Sequence, residues 1–193
     1  MQTILSKTKQ NQEAGVLLHR QEKQDQTQQI VFRKPRSEDG SAIWDLVAAC
    51  APLDENSMYC NLIQCDHFRD TCVLAEEGGA PVGWISGHIL PADPETLFVW
   101  QVAVSERARG QGLGRRMLTH LVARRECRKV TRLQTTITSD NEASWSLFKG
   151  FARRVGNGLE HRPHFRRDAH FAGQHATEHM VTIDVAARLT RAA

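Results

Sequence analysis

The chain has 193 residues, of which 40% are hydrophobic and 24% charged, a length and composition that suit one globular domain with a core of its own. A net charge of +3 is too small to single out nucleic acid, and no apolar run approaches the roughly 18–20 residues of a membrane helix. Cys50, Cys60, Cys65, Cys72 and Cys127 form an odd set without a CxxC pair, which excludes a disulfide scaffold and a zinc ribbon; without a charged-then-apolar N-terminal signal, the expected compartment is the cytoplasm.

Residues 1–29 hold eight glutamines and few large apolar side chains, which predicts a disordered polar tail. Ile30-Val31-Phe32 starts a strand that ends at Pro35. Ser37 or Asp39 then caps a helix with its apolar face on Ile43, Leu46, Val47 and Cys50. A second helix is predicted with Met58, Leu62, Cys65 and Phe68 on one face. Residues 71–77, the Gly78-Gly79 turn and residues 82–90 read as a β-hairpin. After a loop holding Pro91 and Pro94, residues 96–104 are apolar on both faces, the pattern of a covered central strand. A helix starting near Gly112 repeats Leu113, Met117, Leu118, Leu121 and Val122. Leu133, Thr135 and Ile137 alternate as a strand, and Asn141 caps a helix carrying Trp145, Phe148, Phe151 and Val155, with Gly156 as its stop. Residues 157–174 are expected to be a long loop, and Val181, Ile183 and Val185 a last strand. The order β-α-α-β-β-β-α-β-α-β predicts one mixed α/β domain over residues 30–187, followed by a short C-terminal tail, 188–193.

Nine basic residues lie between Ser105 and Arg132, against only Glu106 and Glu126. They surround a buried strand, a glycine-rich turn and a helix start: Val102-Ala-Val104, then Arg109-Gly110-Gln111-Gly112-Leu113-Gly114. Such a turn binds anions, because glycines let the backbone approach closely and free N–H groups sit at the positive end of a helix dipole. A Rossmann turn does not fit, since Lys129 and Arg132 stand where the ribose-binding acid belongs. A P-loop does not fit either, for Gly-Lys-Ser/Thr is absent. A basic module on nucleic acid is the alternative from another class, and it predicts salt-sensitive oligonucleotide binding.

The Arg109–Gly114 loop, with the strand before it and the helix after it, resembles the [Gln/Arg]-x-x-Gly-x-[Gly/Ala] loop of the acyl-CoA N-acyltransferase (GNAT) superfamily. Within it, the chain looks like the diaminobutyrate acetyltransferases of ectoine biosynthesis. The resembling stretches are Phe32-Arg-Lys-Pro, Pro52 to Tyr59, Phe98 to Val104, Thr135 to Thr138, Asn141 to Ser144 and Glu178-His179-Met180. The resemblance implies a single GNAT-type α/β domain with a mixed central sheet flanked by helices. It implies acetyl transfer from acetyl-CoA, without a metal, to the N-γ amine of L-2,4-diaminobutyrate, and a homodimer. The alternative within the superfamily is another small amine or a protein N-terminus.

By that resemblance, Val102, Val104, Arg109, Gly110, Gln111, Gly112, Leu113, Gly114 and Asn141 hold acetyl-CoA, and the Val102 N–H polarises the thioester carbonyl. Asp54, Tyr59, Trp100, Thr135 and Glu178 surround the amine, with Glu178 as base or ammonium partner. Phe148 stands near the position of the tyrosine acid of many GNAT enzymes. Tyr59 is the only tyrosine in the chain. Structural alternatives stand beside each role: Asp54 as a helix cap, Tyr59 and Trp100 as core aromatics, Glu178 as the partner of an arginine in 162–167. His175 to His179 spells HxxEH, a zinc-peptidase pattern that needs a helix, whereas this segment runs into a strand.

Overall fold

The computed structural model describes residues 29–51, 53–155 and 158–185. Residues 1–28 of the predicted N-terminal tail, the C-terminal tail and Gly156 lie outside the described residues. Seven strands form one sheet: β1 (Val31–Arg33), β2 (Val73–Glu77), β3 (Ala80–Leu90), β4 (Asp93–Val104), β5 (Arg132–Thr138), β6 (Leu159–Phe165) and β7 (Glu178–Asp184). Their spatial order is β1-β2-β3-β4-β5-β7-β6. Only the β4–β5 pair is parallel. The helices are α1 (Gly40–Ala48), α2 (Met58–Asp66), α3 (Leu113–Val122), α4 (Glu142–Val155) and the short α5 (Arg167–Phe171). No described helix is long and apolar enough to cross a membrane.

Each face of the sheet carries its own core. On one, Leu113, Met117, Leu118 and Leu121 of α3 and Phe148 and Phe151 of α4 pack on Val73, Leu97, Val99, Leu133 and Ile137. On the other, Ile43, Leu46 and Val47 of α1 join Cys65, Leu74, Trp84 and Ala103. The 3.6-residue spacing on α1 and α3 and the two-residue alternation on β5 account for this division.

Four expectations are corrected. The predicted 157–174 loop contains β6 and α5; β6 is exposed along nearly its whole length, so no apolar alternation announces it, and pairing with β7 holds it in place. Asp39 does not cap α1 through its side chain, because its carboxylate is engaged by Arg33, at 2.7 Å to both oxygens, and by the Arg36 N–H. Ser57 rather than Asp54 caps α2, its Oγ accepting from the Cys60 N–H at 3.1 Å. Finally, the buried face of α2 is turned from its predicted stripe: Cys65 is buried as expected, but Asn61 and Gln64 are buried beside it, whereas Met58 and Leu62 are exposed and Phe68 lies beyond the helix.

The β3–β4 ladder is interrupted. Ile85 lies opposite Val102, Ser86 opposite Gln101 and Gly87 opposite Val99, so Trp100 is an extra residue on β4. Such a bulge re-aims the side chains that follow it. Leu97 and Val99 face the α3/α4 core, and after the bulge Val102 and Val104 pack on that same side while Ala103 joins the α1 side. Gly87 permits the kink, since a Cβ there would stand 2.7 Å from the Phe98 carbonyl oxygen.

Candidate functional site

β4 and β5 pair only over Thr96–Phe98 and Arg132–Gln134. Beyond Phe98 they diverge, so among the described residues the β4 edge from Val99 to Val104 has no strand partner on the β5 side. A cavity of about 590 Å³ occupies the opening. It is lined by Val102 and Val104 of β4, by Arg109, Gly110, Gly112, Leu113 and Gly114, and by Asn141, Ser144 and Leu147 at the start of α4. Cys50 closes the α1 side, its thiol donating to the Val104 carbonyl at 3.3 Å.

The turn has the backbone the anion-binding reading requires. Gly110 and Gly112 have φ of +73° and +69°, conformations that cost other residues strain. Gly112 is the N-cap of α3, whose first turn carries no acid, so helix dipole and free N–H groups stand unopposed at the cavity rim. Arg109 folds back to donate from Nε to the Val104 carbonyl at 3.1 Å. Gln111 does not line the cavity and donates to the Arg107 carbonyl. Asn141 caps α4 through Oδ1, which accepts from the Ser144 N–H at 3.0 Å. The turn, the unpaired β4 edge and the cavity between them fit a ligand with a phosphate at one end and amide groups along an extended arm.

The basic run does not form one face. Arg107 pairs with Glu77, Arg132 pairs with Asp93, and Arg124 donates to the Cys72 carbonyl. Arg109 and Arg115 are the arginines of that run that line the cavity.

Two acids outside the lining of that cavity, Glu178 and Asp54, lie near enough to each other for their charges to interact. Glu178 begins β7 opposite Thr138, three residues before the cavity-lining Asn141. Its side chain is 18% exposed, and Oε2 is buried with no hydrogen-bond partner. Burial pushes its carboxyl above the ordinary glutamate value; the negative charge of Asp54 adds to that, while His175 and the hydroxyl of Thr136 oppose it. It pairs with the His175 ring, at 4.0 Å, when that imidazole is protonated, rather than with an arginine of 162–167. A half-buried acid with another acid beside it attracts a cation.

Among the remaining predicted residues, Tyr59 and Trp100 are 71% and 51% exposed, so neither is a core aromatic. Thr135 is 3% exposed and lies on the core side of β5 between Leu133 and Ile137. Thr136, not singled out by the sequence, is the threonine beside Glu178. Phe148 is buried in the α3/α4 core. His175 precedes β7, and His179 contacts the ring of His161 at 5.8 Å between centroids, so HxxEH lacks the helix that would align its ligands. No group of three or more His, Cys, Asp or Glu among the described residues is arranged to hold a metal.

Comparison with known proteins gives concordant results. The model of the acetyltransferase (GNAT) family matches residues 41–152. The chain is 47% identical over 154 residues to an L-2,4-diaminobutyric acid acetyltransferase of Methylotuvimicrobium alcaliphilum, covering 80% of this chain and 90% of the relative. It is 46% identical over 153 residues to the protein of the same name from Vibrio cholerae, covering 79% and 88%. Among solved structures, it matches the diaminobutyrate acetyltransferase EctA of Paenibacillus lautus in complex with L-2,4-diaminobutyric acid and coenzyme A. That match has a TM-score of 0.79 and 37% identity, covering 82% of this chain and 96% of that one.

Proposed function

As the chain belongs to the GNAT acetyltransferases, and within them to the diaminobutyrate acetyltransferases, we propose that it transfers the acetyl group of acetyl-CoA to the N-γ amine of L-2,4-diaminobutyrate, the acetylation that precedes ectoine. The observation that carries the reading is the pair of acids, Asp54 and a half-buried Glu178 with an unpartnered oxygen, beside an opening built for a phosphate-bearing thioester.

Bound acetyl-CoA supplies an activated acyl carbonyl. The Gly110–Gly114 turn holds its pyrophosphate, and the unpaired β4 edge at Val102 and Val104 pairs with its amide arm. The Val102 N–H donates to the negative charge that develops on the carbonyl oxygen. The substrate carries two ammonium groups, and the reacting one, with an amine pKa near ~10, must shed a proton first. Asp54 and Glu178 hold the ammonium groups, and Glu178 is placed to receive that proton. Trp100 offers its exposed ring as a wall against the cation. Phe148 has no proton to give, so the departing thiolate takes its proton from water or from a group on the substrate side.

The partner is a second copy of the chain. The exposed apolar side chains of α2, Met58 and Leu62, with Tyr59 beside them, support this reading, because a monomer leaves them wetted. A monomeric mass in solution would remove it. The five free thiols and the demand for acetyl-CoA support a cytoplasmic location.

The test follows CoA release with diaminobutyrate, ornithine, lysine, diaminopropane, spermidine and a peptide, locating the acetyl group by NMR. Turnover of diaminobutyrate at its γ-nitrogen is expected. Turnover of another amine or the peptide alone would discard the substrate and keep the family. Salt-sensitive binding of an oligonucleotide, with no binding of acetyl-CoA, would favour the basic-module alternative.

A further inference from the structure

Gln101 follows the Trp100 bulge on β4 and is 8% exposed. A carboxylate on this strand would be a candidate base, but the side chain here is an amide and both its ends are occupied. Nε2 donates to the Asp54 carbonyl at 2.8 Å, and Oε1 accepts from Asn56 Nδ2 at 3.1 Å. The bound segment, 54–56, has no regular secondary structure. It has a further side-chain tie in the Trp44 indole N–H, which donates to the Asn56 carbonyl at 2.9 Å. Asp54 itself is exposed, so its carboxylate takes its place from the backbone that carries it.

We propose that Gln101 is a positioning residue for substrate selection: its amide clamps the backbone at Asp54 and the side chain at Asn56, and so holds the Asp54 carboxylate opposite Glu178. This rests on the reading that Asp54 and Glu178 receive the two ammonium groups of the substrate. The geometry gives the reason. A loop segment left free must be ordered when the substrate binds, and that loss of conformational freedom weakens affinity. Two hydrogen bonds from a rigid central strand order it beforehand. The bulge makes this possible, because it turns Gln101 toward the α1 side while Val102 stays on the cavity side.

The test uses Gln101→Leu, which keeps the bulk and removes both bonds, and Asn56→Ala, which removes one bond at a partly exposed site and protects the test against a failure of the first variant to fold. With two bonds lost, the diaminobutyrate KM is expected to rise about tenfold or more, and with one bond lost about three- to fivefold. The acetyl-CoA Kd should stay within about twofold of wild type in both, because the cavity does not include these side chains. The discriminating measurement is a double-mutant cycle with Asp54→Ala. If Gln101 acts through Asp54, Gln101→Leu adds less than about twofold to the KM of the Asp54→Ala enzyme; a merely structural role multiplies the two losses. Gln101→Glu keeps an acceptor for Asn56 but sets a carboxylate oxygen against the Asp54 carbonyl, so it should fail to rescue. An unchanged KM in Asn56→Ala and Gln101→Leu, or multiplied losses in the cycle, overturns the proposal. A wild-type enzyme inactive on diaminobutyrate would overturn the substrate reading instead, a different result from the same assay.

Discussion

Glu178 offers the sharpest test of the site, because the same carboxylate should harm the free protein and serve the loaded one. Its Oε2 is buried without a hydrogen-bond partner, and burial raises its pKa above the ordinary value, with Asp54 adding to the effect. A raised carboxylate pKa in the fold means that the ionised form is the disfavoured one. Glu178 therefore costs stability above its folded pKa, and that cost disappears as pH falls through it, the reverse of a salt-bridged acid. The substitution Glu178→Gln keeps the shape and removes the charge. Removing a buried charge that has a like charge beside it is worth about 1 kcal/mol or somewhat more, which for a domain of this size raises Tm by about 2–4 °C. The gain should be present at pH 7 and vanish toward pH 4 in calorimetry without substrate. Turnover should move the other way. Losing a charged hydrogen bond to the ammonium is worth about 1.5–3 kcal/mol, or about 10- to 150-fold in kcat/KM. The acidic limb of the wild-type pH profile, expected above the ordinary glutamate value, should be lost with it. A Glu178→Gln protein with unchanged or lower Tm at pH 7 and wild-type turnover would refute the reasoning, since Glu178 would then be a satisfied structural acid.

Two further substitutions probe the other parts of the site. Gly112→Ala forces a Cβ into a backbone with φ of +69°, which costs about 1–2 kcal/mol, and should weaken CoA binding by about five- to thirtyfold in calorimetric titration. Gly112→Glu adds a like charge beside the phosphates and should lose a further tenfold or more at low salt; CoA affinity equal to wild type would mean that the turn does not hold the phosphates. Trp100→Ala should raise the diaminobutyrate KM by about tenfold while leaving acetyl-CoA binding intact, as loss of a cation–π wall predicts; equal losses for both ligands would make Trp100 a packing residue.

Much of this is legible in the residues because particular positions carry constraints that only certain side chains meet. Gly110 and Gly112 sit at positive φ, Asn141 caps α4 through its side chain, and the α3 stripe of Leu113, Met117, Leu118 and Leu121 faces the core. The rest is hidden for equally specific reasons. β6 is exposed along its length, so it has no apolar period to read, and its pairing with β7 is a long-range fact. On α2 the apolar spacing of Met58 and Leu62 points to a core, yet Asn61 and Gln64 are buried there, joined by a hydrogen bond of 3.2 Å that offsets their polarity. The sequence singles out Thr135 and not Thr136, although Thr135 is buried on the core side of β5 and Thr136 stands beside Glu178, because alternation tells which residues share a face, not what that face meets. Gln101 carries no signal at all, since its role depends on a loop 45 residues earlier in the chain.

The bulge at Trp100 links these observations, and it makes a prediction of its own. Leu97 and Val99 precede it on the α3/α4 side, and Val102 and Val104 follow it on the same side. Counting by two along a regular strand, Val99 would be followed on that side by Gln101 and Ala103. One added residue reverses this, sending Gln101 to the loop that carries Asp54 and Val102 to the cavity. If Trp100 is that added residue, deleting it leaves Gln101 and Val102 facing where they face now, because the remaining chain alternates without interruption from Leu97 to Val104. Deletion of Trp100 should therefore give a folded protein with a cooperative melt and an acetyl-CoA Kd within a few-fold of wild type. Diaminobutyrate turnover should fall at least as far as in Trp100→Ala. Deletion of Val102 has no such escape. Keeping the bulge turns Ala103 and Val104 to the wrong faces, and using it up turns the Gln101 amide into the α3/α4 core. Either way folding should fail, since a one-residue slip sends core side chains to the wrong side. Equal damage from the two deletions would mean that the Trp100 position belongs to the regular pleat, and that the division of β4 between cofactor and substrate has another cause.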